Sequence, residues 1–168
     1  QQLGAFSTEQ IAAISTDDIG ALTGRQITAM STAQMRALTT NQIVALKPSQ
    51  VVSIPTQSMA ALDGDQVAAF TAAQVAYLTN SQMGALTSEQ VGAITTTQIP
   101  QLKAAQLAAI STASLAGLDS TQIEALSAVQ IGGLGTEQIA AMATEQIAAI
   151  ASEDIRGLTR QQIAAMQS

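Results

Sequence analysis

The hydrophobic positions of this sequence recur every eight residues without a spacer. In the octad Ala143–Ile150, which reads A-T-E-Q-I-A-A-I, positions 5 and 8 are large and apolar. Twenty complete copies, with the consensus T-x-x-Q-I-x-A-L, run from Ser7 to Met166, and partial repeats occupy residues 1–6 and 167–168. Position 5 is always apolar, position 8 is always large and apolar, and position 7 is Ala or Gly in 17 of 20 copies. This fixed period predicts a single uninterrupted repeat array over residues 1–168.

The first four positions of the octad predict a helix start. Ser, Thr or Asp stands at position 1 in 14 of 20 copies, and Gln stands at position 4 in 16 of 20. This spacing is typical of a capping box, in which position 1 accepts the amide of position 4 and the Gln side chain accepts the amide of position 1. Pro48 stands at position 2, where the first turn of a helix tolerates proline. We expect about 20 consecutive helices of about two turns, one per octad, which makes the fold all-α.

Two other architectures compete with short helices. In one continuous helix, the apolar stripe would advance by roughly 80° per octad and leave no coherent face to bury. A β-solenoid with 16-residue coils is a stronger alternative, because Thr and Ile are common in such folds. The apolar positions do not alternate with period two, however, and Ala and Gln are poor strand formers. The helical solenoid is therefore our prediction, with the β-solenoid as its alternative.

Isolated helices of this length are unstable in water, so the octads must stack on one another. We expect a superhelix whose axis is filled by positions 5 and 8, with the small position 7 allowing close helix contacts. The Gln at position 4 has two interpretations, a capping box or a ladder of stacked amides. Pro100 at position 6 lacks the amide that a short helix needs, so this octad should be distorted. Lys47, Pro55, Lys103, Ala143, Ala151 and Gly135 are poor caps.

Composition argues against most chemistry. The chain has no His, Cys or Trp, and its net charge of -6 argues against nucleic acid as a partner. No transmembrane helix is predicted, because every octad interrupts its apolar residues with polar ones. Acids are paired at three places, Asp17 with Asp18, Asp63 with Asp65, and Glu153 with Asp154. Acids favour the first helical turn in any case, so we predict solvated helix starts rather than a Ca²⁺ site. We expect no catalytic, cofactor-binding or metal-binding residue, and no enzyme activity.

The array resembles the octapeptide-repeat tracts of very large bacterial surface or secreted proteins of the haemagglutinin and adhesin-like kind. The segment Leu78–Leu86, which reads L-T-N-S-Q-M-G-A-L, carries the resemblance, and the repeats cover essentially the whole chain. The resemblance implies an extracellular stalk, filament or adhesive element, and it brings no catalytic residues.

These observations favour a structural function. Joining Ser168 to Gln1 would complete an octad in phase, so we expect copies to stack head-to-tail into a filament. The alternative is a solenoid module that binds a surface protein or a glycan. Clustering of unusual residues on one face would favour binding, whereas the variation along the sequence looks scattered.

Overall fold

The computed structural model describes residues 3–166 and is all-helical over that range, with no β-strand among those residues. The partial repeat 167–168 and the first two residues lie outside the described range. The α-helices are α1 (Thr8–Ala12), α2 (Thr16–Ala21), α3 (Gly24–Thr28), α4 (Thr32–Arg36), α5 (Thr40–Ala45), α6 (Pro48–Val51), α7 (Thr56–Met59), α8 (Gly64–Ala69), α9 (Ala72–Val75), α10 (Asn80–Gly84), α11 (Ser88–Gly92), α12 (Ala104–Ala108), α13 (Thr112–Leu115), α14 (Ser120–Glu124), α15 (Ala128–Gly132), α16 (Thr136–Ala141), α17 (Thr144–Ala148) and α18 (Arg160–Ala165). Short 3-10 helices lie at Leu3–Ala5, Ile99–Gln101 and Ile155–Gly157.

The predicted arrangement of one short helix per octad is confirmed, and the β-solenoid alternative is wrong. The α-helices have only 4 to 6 residues, so they are shorter than the expected two turns. Each ends early because position 8 and the next position 1 adopt an extended backbone, as at Leu46 (φ -64, ψ 135) and Lys47 (φ -75, ψ 153). No residue of the described range has a positive φ, so these corners need no glycine.

Two octads depart from the α-helical pattern. The octad that contains Pro100 has a 3-10 helix instead of an α-helix, which confirms the predicted distortion. The octad that begins at Ala151 is also 3-10, with Asp154 in place of Gln and no side-chain cap. Pro48 begins α6, as predicted for a first-turn proline.

Positions 5 and 8 form one continuous hydrophobic core. Every position 5 side chain from Ile11 to Ile139 is buried, and so is every position 8 side chain from Met30 to Leu134. Near the C-terminal end the core is open, and Ile155 and Ile163 are 49% and 41% exposed. The core therefore follows the length of the array, as expected for a solenoid whose repeats contact only their neighbours.

Consecutive turns of the superhelix stack through octads that are three apart. Helix α5 packs on α2 on one side and on α8 on the other. Helix α18 packs on α16, and these two helices also belong to octads that are three apart. Hydrogen bonds between the turns join residues 28 and 31 apart in sequence. One turn of the superhelix therefore contains three to four octads.

Small residues at positions 6 and 7 allow this close stacking. A Cβ atom on Gly92 would lie only 2.9 Å from the carbonyl oxygen of Gly117, on the adjacent turn. A Cβ atom on Gly117 would in turn overlap the carbonyl group of Ser88. At these places two helix backbones approach each other too closely for a larger residue.

Candidate functional site: the glutamine ladder between turns

The position 4 glutamine is the polar residue that the core buries. Gln82 is only 1% exposed, yet its amide has hydrogen-bond partners at both ends. Its Oε1 accepts the backbone amide of Thr79 at 2.8 Å, and its backbone amide donates to Thr79 Oγ1 at 3.2 Å. The predicted capping box is therefore confirmed.

The other end of the same amide connects two turns of the superhelix. The Nε2 of Gln82 donates to the carbonyl oxygens of Val51 and Ile54, both at 2.8 Å. These carbonyls belong to positions 5 and 8 of the octad four units earlier. The contact uses both amide hydrogens and leaves no polar atom of the side chain unpaired. We call this series of contacts the glutamine ladder.

The glutamine ladder extends through almost the whole described array. Fourteen glutamines donate to carbonyls of the previous turn, namely Gln34, Gln42, Gln50, Gln66, Gln74, Gln82, Gln90, Gln98, Gln106, Gln122, Gln130, Gln138, Gln146 and Gln162. Each rung runs from a side chain to the backbone, which differs from the stacked amide ladder considered as the alternative. Within residues 3–166, Gln10 and Gln26 make only the cap contact, since the octads four units before them are not among those residues.

Four octads have another residue at position 4, and each shows what the amide contributes. Ser114 keeps a shortened rung, since its Oγ donates to the Leu86 carbonyl at 2.8 Å and accepts from Ser111 at 2.9 Å. At Asp18 only the local cap is present: Ser15 Oγ accepts the Asp18 backbone amide at 3.1 Å, and the Ser15 hydroxyl donates to the Asp18 carboxylate at 2.7 Å. Asp154 cannot donate when ionised, and its octad has no α-helix.

Ser58 is the exception with no partner. It is 1% exposed, and its Oγ makes no hydrogen bond, alone in this respect among the buried side-chain polar atoms of residues 3–166. The first residue of its octad is Pro55, which has no backbone amide to donate to a glutamine Oε1. A glutamine at position 58 could therefore donate to the previous turn, but its Oε1 would have no position 1 amide to accept.

The acids that sequence analysis singled out act mainly as helix starts. Asp63 accepts the backbone amide of Gln66 at 2.8 Å and caps α8. No group of three or more His, Cys, Asp or Glu residues within residues 3–166 is placed to hold a metal ion. The absence of catalytic, cofactor and metal sites stays a prediction.

Two surface carboxylates have lowered pKa values because they accept hydrogen bonds. The Thr121 hydroxyl, followed by the Gln122 amide, lowers the pKa of Asp119. The Ser7 hydroxyl is the largest cause of the lowered pKa of Glu9. Both are effects of helix capping and do not indicate a reaction centre.

The repeat unit has a described family. The ALTTAQ repeat model matches residues 1–32, 25–56, 99–136, 124–152 and 131–168, which together cover well over half of the chain. The chain belongs to the ALTTAQ repeat family. In this ALTTAQ repeat protein, residues 37–42 read A-L-T-T-N-Q and therefore contain positions 7 and 8 of one octad followed by positions 1 to 4 of the next. No curated protein matches the chain.

The geometry explains why the ALTTAQ repeat has this composition. The threonine caps a helix, the glutamine completes the cap and bonds the previous turn, and the leucine fills the core. The segment 57–98, between the matched regions, has the same rungs at Gln74, Gln82 and Gln90. None of the helices in residues 3–166 has the length and apolar character needed to cross a membrane.

Proposed function

We propose that this chain is a structural element, a segment of an extracellular stalk or filament whose copies associate end to end. The observation that carries the proposal is the uniformity of the glutamine ladder. In fourteen octads, the same glutamine amide donates to the carbonyl oxygens of the previous turn over the same apolar core. A structure held together in this way gains length by repeating one contact, which is what a stalk requires.

The two ends of the described array are complementary. At the N-terminal end, the Nε2 groups of Gln10 and Gln26 find no acceptor on another turn within residues 3–166. At the C-terminal end, the carbonyls of Ile147 and Ile150 receive no glutamine amide from the described residues. Exposed Ile163 extends the core to that end. Stacking two copies would supply each group with the partner that it has inside the array, and a contact of this head-to-tail kind generates filaments.

Electron microscopy and light scattering of the 168-residue chain test the assembly. We expect fibres of uniform width, and a mean mass that rises with protein concentration. The Gln26→Glu substitution keeps the cap acceptor and removes the amide donor at the end, so it should weaken the association. Gln57→Glu adds the same charge at an exposed position 3 and serves as the control. A monomer at every concentration would contradict end-to-end association. The remaining proposal would then be a stalk segment within a longer array.

The proposed location is the bacterial cell surface or the extracellular medium, and it rests on the resemblance of the repeats to tracts of large adhesin-like proteins. Antibody labelling of intact cells of the source organism tests it. Labelling without permeabilisation is the expected result. Labelling only after permeabilisation would contradict this location while leaving the structural role intact.

A further inference from the structure

The three octads with an unusual position 7 lie on one side of the superhelix. Position 7 is Ala or Gly except at Ser53, Tyr77 and Gln101, and each of these is three octads from the next. Three octads is also the interval at which successive turns stack. Accordingly, α6 packs on α9, and α9 packs on the 3-10 helix Ile99–Gln101. We call this side, formed by the octads that begin at residues 47, 71 and 95, the tyrosine column.

The stacking of α6 on α9 indicates which residues of the previous turn lie near the tyrosine. One turn earlier, Ser53 lies against Gly24, and the Thr28 hydroxyl donates to the Ser53 carbonyl at 2.9 Å. From the same register, and because α6 packs on α9, we infer that Tyr77 lies near Pro48 and Val52, which occupy the positions equivalent to Gly24 and Thr28. Tyr77 is 55% exposed and Val52 is 41% exposed. Two exposed apolar residues therefore lie on the stacked octads of this side.

Polar groups with unused hydrogen-bonding capacity lie on the same side. Within residues 3–166, neither the Tyr77 hydroxyl nor the side-chain amide of Gln101 makes a hydrogen bond, and Gln101 is exposed. Together they offer donors and acceptors of both kinds. Lys47 is the one charged side chain in the three octads of the tyrosine column, and they contain no acid.

We propose that the tyrosine column binds an uncharged oligosaccharide. Sugar rings have apolar faces with hydroxyl groups around the edge, and a tyrosine ring with a polar tip suits such a ligand. The Gln101 amide would bond hydroxyl groups on the next sugar. Packed helices are roughly 8–10 Å apart, so ligand contacts on two successive turns require a chain of at least two sugars. The lack of acids, and of any cation besides Lys47, favours a neutral ligand over a charged one. This proposal does not depend on end-to-end assembly.

Titration of the full chain with cellohexaose, chitohexaose, maltohexaose and mannohexaose tests the proposal. Tyr77 is the single tyrosine and the chain has no tryptophan, so intrinsic fluorescence reports on this site alone. We expect a saturable change with at least one of the four sugars. In calorimetry, Tyr77→Ala should weaken that binding by about tenfold or more, as expected for an aromatic anchor. Gln101→Ala should also weaken it.

The Tyr77 and Gln101 variants should keep the fold, so a change in sugar binding would report on the tyrosine column itself. Ala is a common residue at position 7, so Tyr77→Ala and Gln101→Ala restore the consensus and should fold. Val129→Ala removes a side chain that is 76% exposed in an octad outside the tyrosine column, and it should leave binding unchanged. No saturable change with any of the four sugars, or equal binding by Tyr77→Ala, would overturn the proposal. So would a fluorescence change that follows protein concentration instead of sugar, which would indicate self-association through this column.

Discussion

The Nε2 atom of Gln82 lies 2.8 Å from the carbonyl oxygen of Ile54, which is 28 residues earlier in the chain. The other end of the same amide caps the local helix through the backbone amide of Thr79. One side chain thus fixes a helix start and the stacking of that helix on the previous turn. Local and long-range structure in this protein depend on the same residue.

Substituting Gln82 with Glu separates the two roles. The carboxylate still accepts the Thr79 amide, but it cannot donate, and it places a buried charge against the carbonyls of Val51 and Ile54. We expect a loss of about 3–5 kcal/mol in the free energy of unfolding, measured by urea denaturation, as for other uncompensated buried charges. The exposed control Gln57→Glu should change it by less than about 0.5 kcal/mol.

The Gln82→Glu variant should also depend on pH. Burial and the facing carbonyls raise the pKa of the new carboxyl above its unfolded value, and the protonated form can donate a hydrogen bond. Its stability should therefore recover as the pH falls below the folded pKa and decline as the pH rises through it. An equal loss at every pH would contradict this account.

Ser58 and Ser114 form a natural pair for a second test. Ser114→Ala removes two hydrogen bonds at a buried site and should cost about 1–2 kcal/mol in unfolding free energy. Ser58→Ala removes a buried hydroxyl that has no partner, so its cost should be near zero, or the variant should be more stable. Thermal unfolding of both variants in one buffer compares their losses of stability. Equal losses would mean that the Ser58 hydroxyl has a partner in solution.

The octad that begins at Ala151 is the weakest described part of the ladder. Asp154→Gln would place an amide where it can reach the carbonyls of Ile123 and Leu126, at positions 5 and 8 of the octad four units earlier. We expect a gain of about 1 kcal/mol in unfolding free energy and slower amide hydrogen exchange in the residues that follow. Asp18→Gln is the matched control, because the 168-residue polypeptide used in the test supplies no octad four units before it. Equal effects of the two substitutions would exclude an inter-turn bond as the cause.

The lowered pKa of the surface residue Asp119 predicts how the stability of the protein depends on pH. Because the Thr121 hydroxyl and the Gln122 amide lower its pKa, its contribution to stability is present above the unfolded pKa and is lost as the pH falls through the folded pKa. An NMR titration should show a higher carboxyl pKa in Thr121→Ala. Asp119→Asn should keep the helix cap and lose the pH dependence at this site. An unchanged pKa in Thr121→Ala would assign the shift to the backbone amide alone.

The sequence was sufficient to predict the local structure and insufficient to predict the stacking. Caps, helix starts and the Pro100 distortion depend on residues within one octad, and they were predicted. The rungs of the ladder join octads that are four units apart, and nothing within one octad indicates how many octads form a turn. One signal was available: position 4 is never Glu, although Glu serves a capping box equally well and occurs five times at position 3. Its absence at position 4 indicates a need for the amide hydrogens.

The tyrosine column was missed for the same reason. Along the sequence, Ser53, Tyr77 and Gln101 look like scattered exceptions, because their regular spacing has no meaning until the turns are known to stack at three octads. The coupling between Pro55 and Ser58 is local, by contrast, and follows from the missing proline amide.

The constant sequence separation of the ladder has a consequence for folding kinetics. A complete rung joins residues 28 and 31 apart, so a chain shorter than about four octads cannot form one. The first rung therefore requires the whole intervening segment to close as one loop, at a substantial cost in entropy. Every later rung closes a loop of the same size onto a turn that already exists. Relative contact order therefore falls as octads are added, and a longer array should fold without a corresponding loss of speed. Such a chain can become longer during evolution by duplicating octads, without crossing a new kinetic barrier.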